Sequence, residues 1–189
     1  MEAFSDGVFA IIITIMVLEL KVPHEASLEA LVKLLPTFIS YIMSFVYIGI
    51  YWGNHHLLLH TVRQVNSKII WANMGLLFFL SLIPFSTAWM GENHFDRIPV
   101  AAYAVNLFLA GNAFYILQSV IMAHYTHSSA LIEALKKQQK KGILSTFIYT
   151  ASIPCAFYYP EVSFFCFVLV AVMWLIPDKH IERALKENG

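Results

Sequence analysis

The sequence predicts an all-α membrane protein with six transmembrane helices per subunit. Of its 189 residues, 59% are hydrophobic and only 13% are charged, whereas an average soluble domain carries about 25% charge. A soluble chain of this length could not bury so much apolar surface. The apolar residues fall in several separate blocks, which excludes one anchor or a cleaved signal peptide. We therefore expect a single membrane domain covering residues 1–189.

Each predicted span is an apolar block, and about 17–25 residues are enough to cross the hydrocarbon core. The first block ends at Lys21 and Pro23, and the second begins at Pro36, a residue suited to a first helical turn. Pro84 and Pro154 fall inside the third and fifth blocks and predict kinks. The predicted spans cover residues 4–20, 36–62, 69–90, 99–125, 142–159 and 162–176.

The distribution of basic residues predicts the orientation of these spans. With the N-terminus in the cytoplasm, the outer loops hold three cations, Lys21, Lys33 and Arg97. The inner loops and the C-terminal tail then hold nine: Arg63, Lys68, Lys136, Lys137, Lys140, Lys141, Lys179, Arg183 and Lys186. This bias follows the positive-inside rule. We expect both termini to be cytoplasmic.

Two segments outside the spans have patterns of their own. Leu28, Leu31, Val32 and Leu35 recur at helical spacing and predict a short amphipathic helix. This helix either lies on the outer membrane interface or packs over the bundle. The basic stretch at 136–141 is interpreted as a solvated inner loop, because topology alone accounts for its charge.

Composition and motifs exclude several classes of function. The formal net charge is zero, which gives no indication of nucleic-acid binding. Cys155 and Cys166 lie within apolar segments and are interpreted as buried hydrophobic residues. The sequence contains no nucleophile elbow, zinc-protease motif or phosphate-binding glycine loop, so we expect neither an enzyme nor a resident cofactor or metal. A channel, a transporter and an assembly subunit remain.

A polar pair, Ser5 and Asp6, stands at the start of the first apolar block. A carboxylate at the bilayer centre costs on the order of 2.5–3.5 kcal/mol, so a residue of this kind needs partners. Counted at 1.5 Å per residue, polar residues of the second and third spans lie at a similar depth. The expected structural network consists of Ser5, Asp6, Trp52, Asn54, His55, His56 and Asn73, with Trp71 as an alternative ring donor. It would fix the first helix to the second and third.

The histidines allow a second interpretation. His56 and His60 stand four residues apart on one helical face, a spacing that can bind a cation, but a metal site usually needs a third or fourth ligand. Structural histidines are therefore favoured over a metal site. A proton- or metal-coupled transporter that uses Asp6, His55, His56 and His60 is kept as the alternative function.

The rest of the first span carries an apolar stripe. Ile11, Thr14, Ile15 and Leu18 recur at i, i+3, i+4 and i+7, so one hydroxyl lies among three aliphatic side chains. On one helix such a stripe faces lipid or the core. Repeated around a symmetry axis, it would form a narrow pore of apolar rings with one ring of oxygen atoms.

The segment FSDGVFAIIITIMVLEL resembles the first-helix signature of the transmembrane protein 175 family, potassium channels of endosomes and lysosomes with prokaryotic relatives. The family motif is an arginine, three variable residues and Phe-Ser-Asp, followed by a helix of Ile, Leu, Val and Thr. Phe4, Ser5, Asp6, Ile11 and Thr14 match it. The motif's arginine would precede Met1. Further matches are the Asn-His-His late in the second span and the Pro-Phe pair in the third.

The resemblance implies a potassium-preferring cation channel of the single-repeat prokaryotic type, in the plasma membrane. Four identical subunits would surround a pore lined by the first helix, without a TVGYG filter, in contact with membrane lipid and permeant monovalent cations. Ile11 would be the hydrophobic gate, with Ile15 and Leu18 extending the apolar funnel and Thr14 contributing to selectivity. Glu19 would attract cations at the outer mouth, or pair with Lys21 or Lys33.

Overall fold

The computed structural model describes residues 1–62, 64–124 and 129–175, and its secondary structure is entirely helical in these ranges. Arg63, the end of the predicted fourth span at Tyr125 and the chain after Leu175, with the predicted cytoplasmic C-terminus, lie outside the described residues. The helices are α1 (Glu2–Leu18), α2 (Leu28–Lys33), α3 (Leu35–Leu59), α4 (Ser67–Ser81), α5 (Ile83–Glu92), α6 (Arg97–His124), α7 (Ser129–Tyr158) and α8 (Pro160–Leu175).

The helical lengths agree with the predicted fold class, an all-α membrane protein. By length and composition, α3, the pair α4–α5 (Ser67–Glu92) and α6 can each cross a membrane. Two apolar helices are shorter, α1 with 17 residues and α8 with 16. The apolar second half of α7 corresponds to the predicted fifth span. The protein is therefore an integral, multi-pass membrane protein built around a helical bundle.

At Pro84, where the sequence predicts a kink, the structure has a break that separates α4 from α5. α4 ends at Ser81 and α5 begins at Ile83, so Pro84 occupies the first turn of α5, where its missing N–H costs nothing. The hydroxyl of Thr87 donates to the carbonyl of Ile83 at 2.6 Å, which satisfies backbone near the break. Pro154, in contrast, lies within α7 and does not end it. Both prolines thus occupy helix positions that neighbouring helices can support.

The prediction of a solvated loop at 136–141 was wrong, because these residues continue α7. Leu131, Leu135 and Gln138 are buried at positions i, i+4 and i+7, and they pack against α6. Lysine and glutamine are good helix formers, and only one face of the segment is basic. α6 has 28 residues and is about 42 Å long, so it extends beyond a 30 Å hydrocarbon core. α6 and α7 therefore leave the membrane together as a helical hairpin.

The predicted amphipathic helix between the first two spans is α2, which is shorter than its pattern. It has six residues and is capped by Ser27, whose hydroxyl accepts from the Ala30 N–H at 3.2 Å. It carries an ion pair between Lys33 and Glu29. No residue of α2 is buried, and Leu28, Leu31 and Val32 are exposed in the single chain. This exposure is compatible with a position on the membrane interface and argues against close packing over the bundle.

Polar side chains join the helices inside the bundle. Ser44 of α3 lies 2.6 Å from the Thr87 hydroxyl of α5 and 2.9 Å from the Tyr103 hydroxyl of α6. Tyr47 donates to the Phe167 carbonyl of α8 at 2.7 Å and accepts from the Tyr149 hydroxyl of α7 at 3.1 Å. In a membrane, such hydrogen bonds and close packing replace the hydrophobic effect as the force that holds helices together. They fix the frame against which α1 packs.

Gly91 provides a test of this frame. A Cβ atom added at Gly91 would lie 2.6 Å from the Cα atom of Thr37, which is backbone and cannot move aside. We expect Gly91→Ala to lower the free energy of unfolding by about 1–3 kcal/mol through overpacking. Thermal unfolding of the protein in detergent measures the effect. Gly49→Ala is the matched control, because a Cβ atom at Gly49 meets nothing within 4 Å, and equal unfolding temperatures of the two variants would contradict the prediction.

Candidate functional site

The first helix, α1, has one buried face and one exposed face. Ser5, Phe9, Ile12 and Met16 are buried and recur at i, i+4, i+7 and i+11. They pack against α3, α4 and α5, which surround this side of the helix. Because both faces are apolar, hydrophobicity alone could not distinguish them. The packing of the folded chain shows which face is exposed.

The exposed face carries the predicted stripe. Ile11, Thr14, Ile15 and Leu18 all lie on the surface of the single chain, and the side chains of Ile11 and Leu18 are 57% and 80% exposed. From Ile11 to Leu18 the stripe rises by about 10 Å. The four residues predicted for the gate and the selectivity ring therefore share one outward face of α1.

The rotation of α1 is set by a buried hydrogen-bonded chain. Asn73 of α4 donates from Nδ2 to Ser5 Oγ at 3.0 Å, and its Oδ1 lies 2.7 Å from His55 Nε2 of α3. All three residues are buried. Because a buried polar group without a partner costs about 1–3 kcal/mol, this chain strongly favours one orientation of α1.

Asp6 has a different partner at the edge of the bundle. Trp52 of α3 donates from Nε1 to Asp6 Oδ1 at 2.9 Å. The carboxylate is neither deeply buried nor paired with a cation in the described part of the chain, so its remaining lone pairs face the surface. Ser5 and Asp6 are adjacent, yet they contact different groups, and together they hold the start of α1 at two points.

Two residues assigned to this network lie outside it. Asn54 donates to the Ile50 carbonyl at 2.8 Å and accepts from Gln138 of α7 at 2.8 Å. His56 instead approaches His60 and Glu2. Trp71, the alternative donor, is exposed. Neighbouring helical positions differ in direction by about 100°, so Asn54, His55 and His56 could not all face Ser5 and Asp6.

The same separation divides the residues named for a coupled transporter. His55 faces Asn73, Asp6 faces Trp52, and His56 and His60 form a separate group near the end of α3. A proton relay needs consecutive titratable groups within hydrogen-bonding reach. The described residues do not connect these four in one chain, so the geometry does not favour the transporter.

The hydroxyl of Thr14 is oriented by its own helix. Thr14 Oγ1 donates to the Ile11 carbonyl at 2.8 Å. A hydroxyl has one donor and two acceptor lone pairs, so this bond uses the proton and leaves the lone pairs directed away from the helix. The exposed atom that Thr14 presents is therefore an acceptor, the type of atom that can replace water around a cation.

A surface groove runs beside the stripe, where α1 passes the break between α4 and α5. It is lined by Ile11, Ile15 and Glu19 of α1 and by Ser81 and Phe85 next to the break. The break at Pro84 thus shapes the surface beside the exposed face of α1.

Glu19 lies at the end of α1, next to this groove, and makes no ion pair with any described residue. The two lysines considered as its partners are engaged elsewhere. Lys33 pairs with Glu29 on α2, and Lys21 donates a hydrogen bond to Glu92 at the end of α5. That hydrogen bond is the main cause of a raised pKa at Lys21. The Glu19 charge contributes to that raised pKa only as the last of its causes.

Comparisons with known proteins agree with this arrangement. The family model described as endosomal/lysosomal potassium channel TMEM175 matches residues 1–84. These residues include α1 and its anchor, the hydrogen-bonded chain of Ser5, Asn73 and His55. A potassium channel of Chryseobacterium sp. strain P1-3 is 51% identical over 188 residues, covering 100% of this chain and 97% of the relative.

This chain belongs to the TMEM175 family.

Other TMEM175 relatives extend the comparison. A potassium channel of Chamaesiphon minutus is 37% identical over 118 residues, which is 58% of each chain. The crystal structure of a lysosomal potassium-selective channel TMEM175 homolog from Chamaesiphon minutus superimposes with a TM-score of 0.80 at 26% identity. The superposition covers 92% of this chain and 94% of the Chamaesiphon chain. The TMEM175 fold therefore extends well beyond the residues that the family model matches.

Two polar residues of this TMEM175 chain, which the structure places in contacts between helices, were not identified from the sequence. Gln138 joins Asn54 of α3 to Gln118 of α6, with bonds of 2.8 and 2.7 Å, but its basic neighbours suggested a loop. Glu2 was overlooked because a charge near a chain end is usually solvated. Its proximity to His56 depends on how α1 packs against α3, which no local pattern contains. The helical spacing of Leu131, Leu135 and Gln138 was the pattern from which a buried Gln138 could have been predicted.

The anchor makes a direct prediction for this TMEM175 chain. Replacing Asn73 by leucine keeps the approximate volume, leaves His55 Nε2 without its partner and removes the donor to Ser5 Oγ, which keeps only its bond to the Met1 carbonyl. We expect Asn73→Leu to cost about 1–3 kcal/mol for each group left unpaired, and to lower the unfolding temperature in detergent. Asn112→Leu is the control, since the Asn112 amide donates only to the Phe108 carbonyl of its own helix. Unchanged stability of Asn73→Leu would show that the anchor does not hold α1.

Proposed function

We propose that this protein is a potassium-preferring cation channel in which four copies surround one pore lined by α1. The main support is the exposed stripe of α1. A relative that is 51% identical to this chain is named a potassium channel. Ions would pass down their electrochemical gradient without coupling to a second substrate. The plasma membrane of a prokaryote is the proposed location.

The polar groups on the exposed side of α1 favour a shared axis over lipid. Thr14 lies within the stripe, Glu19 lies at its outer end, and Ser81 lines the adjoining groove. Lipid tails offer no partner to a free carboxylate or to hydroxyl lone pairs, whereas a water-filled pore or a neighbouring subunit does. Four copies would therefore solvate these groups at the centre of the assembly.

The aliphatic residues of the stripe would form the gate. Ile11 has a β-branched and therefore stiff side chain, and in a ring of four it would narrow the pore to an apolar constriction. Such a constriction blocks ions when water leaves it and conducts when it widens and rehydrates. Ile15 and Leu18 would continue the apolar wall toward the outer end, where Glu19 raises the local concentration of cations.

Selectivity would come from the ring of Thr14 oxygens. With the hydroxyl proton bound to the Ile11 carbonyl, each subunit offers lone pairs to the pore. A single ring replaces only part of a hydration shell, so discrimination between potassium and sodium should be weaker than in a filter built from stacked backbone carbonyls. The ring nevertheless favours cations over anions.

The gate is tested by replacing Ile11 with a polar residue. Purified protein in potassium-loaded liposomes should carry a cation flux, and Ile11→Asn should raise it roughly tenfold, which requires a barrier lowered by about 1.4 kcal/mol. Wetting of the constriction is the physical reason. Val17→Asn is the control, because Val17 is exposed on α1 but lies off the stripe.

The same preparation should contain four chains per particle when its mass is measured in detergent. Folded tetramers that carry no flux, or an equal rise with Val17→Asn, would overturn the assignment of Ile11 as the gate. A monomeric but folded particle would overturn the shared pore.

The selectivity ring is tested by Thr14→Val, which keeps the shape of the side chain and removes its oxygen. We expect the preference for potassium over sodium, measured from reversal potentials, to fall while conduction persists. Thr150→Val is the matched control, since Thr150 is an exposed residue of α7 whose hydroxyl also donates to its own helix, to the Thr146 carbonyl at 2.7 Å. A preference unaltered by Thr14→Val would remove this residue from the selectivity mechanism.

A further inference from the structure

Three metal-ligating side chains converge where α1 begins and α3 ends. One ligand atom from each of Glu2, His56 and His60 can be chosen so that all three lie within 4.8 Å of one another. His56 and His60 share a face of α3 because they are four residues apart. Glu2, in the first turn of α1, approaches them from the other helix. It supplies the third ligand that the sequence pattern lacked.

The distances between these donor atoms suit a transition metal. Glu2 Oε1 lies 3.1 Å from His56 Nδ1 and 3.3 Å from His60 Nε2. The other ring nitrogen of His56, Nε2, lies 3.1 Å from His60 Nε2, so a site that uses His56 Nδ1 needs a rotation of one imidazole. In a tetrahedral zinc site, metal–ligand bonds of about 2.0–2.1 Å separate the ligand atoms by roughly 3.3 Å. Small side-chain rotations would therefore place the three donors around one ion.

The surroundings leave the group accessible and incompletely satisfied. The side chains of Glu2, His56 and His60 are 40%, 37% and 51% exposed, so an ion can enter and a water molecule can complete its coordination. The Nδ1 atom of His56 is itself buried and makes no hydrogen bond, although it faces the Glu2 carboxylate. The ring of Trp52 lies against His56, with centroids 5.7 Å apart, and restricts its orientation.

We propose that Glu2, His56 and His60 form a binding site for a divalent transition metal of the zinc class. Two imidazoles and one carboxylate are a ligand set that zinc accepts with water in the fourth position, whereas magnesium and calcium prefer oxygen ligands. A bound ion would link α1 to α3 at residues 54 positions apart in sequence. It would thereby add a metal bridge near the hydrogen bonds that hold the start of α1.

The proposal does not depend on ion conduction, so a binding experiment can test it separately. Full-length protein is purified in detergent, any affinity tag is removed, and Zn²⁺ is titrated by calorimetry and by thermal unfolding. We expect one zinc ion per chain and a rise in unfolding temperature of about 5 °C or more at a hundredfold excess over the dissociation constant. Millimolar Mg²⁺ should produce no comparable shift.

Variants identify the ligands. His60→Ala removes a half-exposed ligand at the end of α3, and Glu2→Gln keeps the size of the side chain while removing its charge. Each should weaken zinc binding at least about tenfold, because even the loss of groups that only support ligands has effects of this size. His24→Ala removes an exposed histidine from the segment before α2 and should leave binding unchanged.

The outcomes are distinct. Stoichiometric binding that is lost in His60→Ala and Glu2→Gln but kept in His24→Ala supports the site, provided that the metal-free variants unfold at the temperature of the parent chain. Absence of stoichiometric binding, an equal shift with Mg²⁺, or full binding by Glu2→Gln and His60→Ala would overturn it. In those cases the three residues form a hydrogen-bonded cluster without a metal function.

Discussion

The hydrogen-bonded chain of Ser5, Asn73 and His55 is the constraint on which the rest of the proposed pore depends. Ser5 also donates to the Met1 carbonyl of its own helix, but lipid offers no partner to the Asn73 amide and His55 Nε2, so the bundle favours Ser5 on its inner side. Every other position of the helix is then fixed by its 100° steps. Ile11, Thr14, Ile15 and Leu18 face outward because Ser5 faces inward, and not because they differ in hydrophobicity from Phe9 or Met16.

The same principle operates throughout the bundle. Ser44, Thr87 and Tyr103 join three helices, and Tyr47 joins α3 to both α7 and α8. Apolar residues fill the space between these contacts but give little directional information, because a lipid chain solvates them equally well. Small hydroxyl and amide groups thus determine which helices pair and at what rotation. The break at Pro84 is accommodated by this network.

The sequence was informative wherever composition or a fixed spacing carries the signal. The six apolar blocks, an irregularity at Pro84 and the stripe on the first helix could be predicted, because a membrane demands long apolar helices and a helix repeats every 3.6 residues. Pairing Asp6 with Trp52 was also within reach, since depth can be counted along each helix. Which partners Asn54, His55 and His56 each contact could not be predicted, because those contacts depend on how three helices rotate about one another.

The helical hairpin formed by α6 and α7 shows a different limit. Lysine-rich composition was taken as the mark of a solvated loop, whereas the buried face that makes the segment a helix consists of only a few residues. Leu131, Leu135 and Gln138 outweigh their basic neighbours because α6 is long enough to receive them. The length of α6 therefore determines that residues 136–141 are helical, and the sequence of those six residues alone does not contain that information.

This hairpin also changes what its lysines can do. On a flexible tether, Lys136 and Lys140 would sample a broad volume and their attraction to acidic headgroups would be averaged. On a rigid helix, one stands about 6 Å further along the axis than the other, a distance comparable with the roughly 8 Å over which physiological salt screens a charge. The hairpin thus holds the two ammonium groups at different, fixed heights along one axis. Hydrogen bonds of Gln138 with Gln118 and with Asn54 tie this helix to α6 and α3, so the heights of both ammonium groups are fixed relative to the bundle.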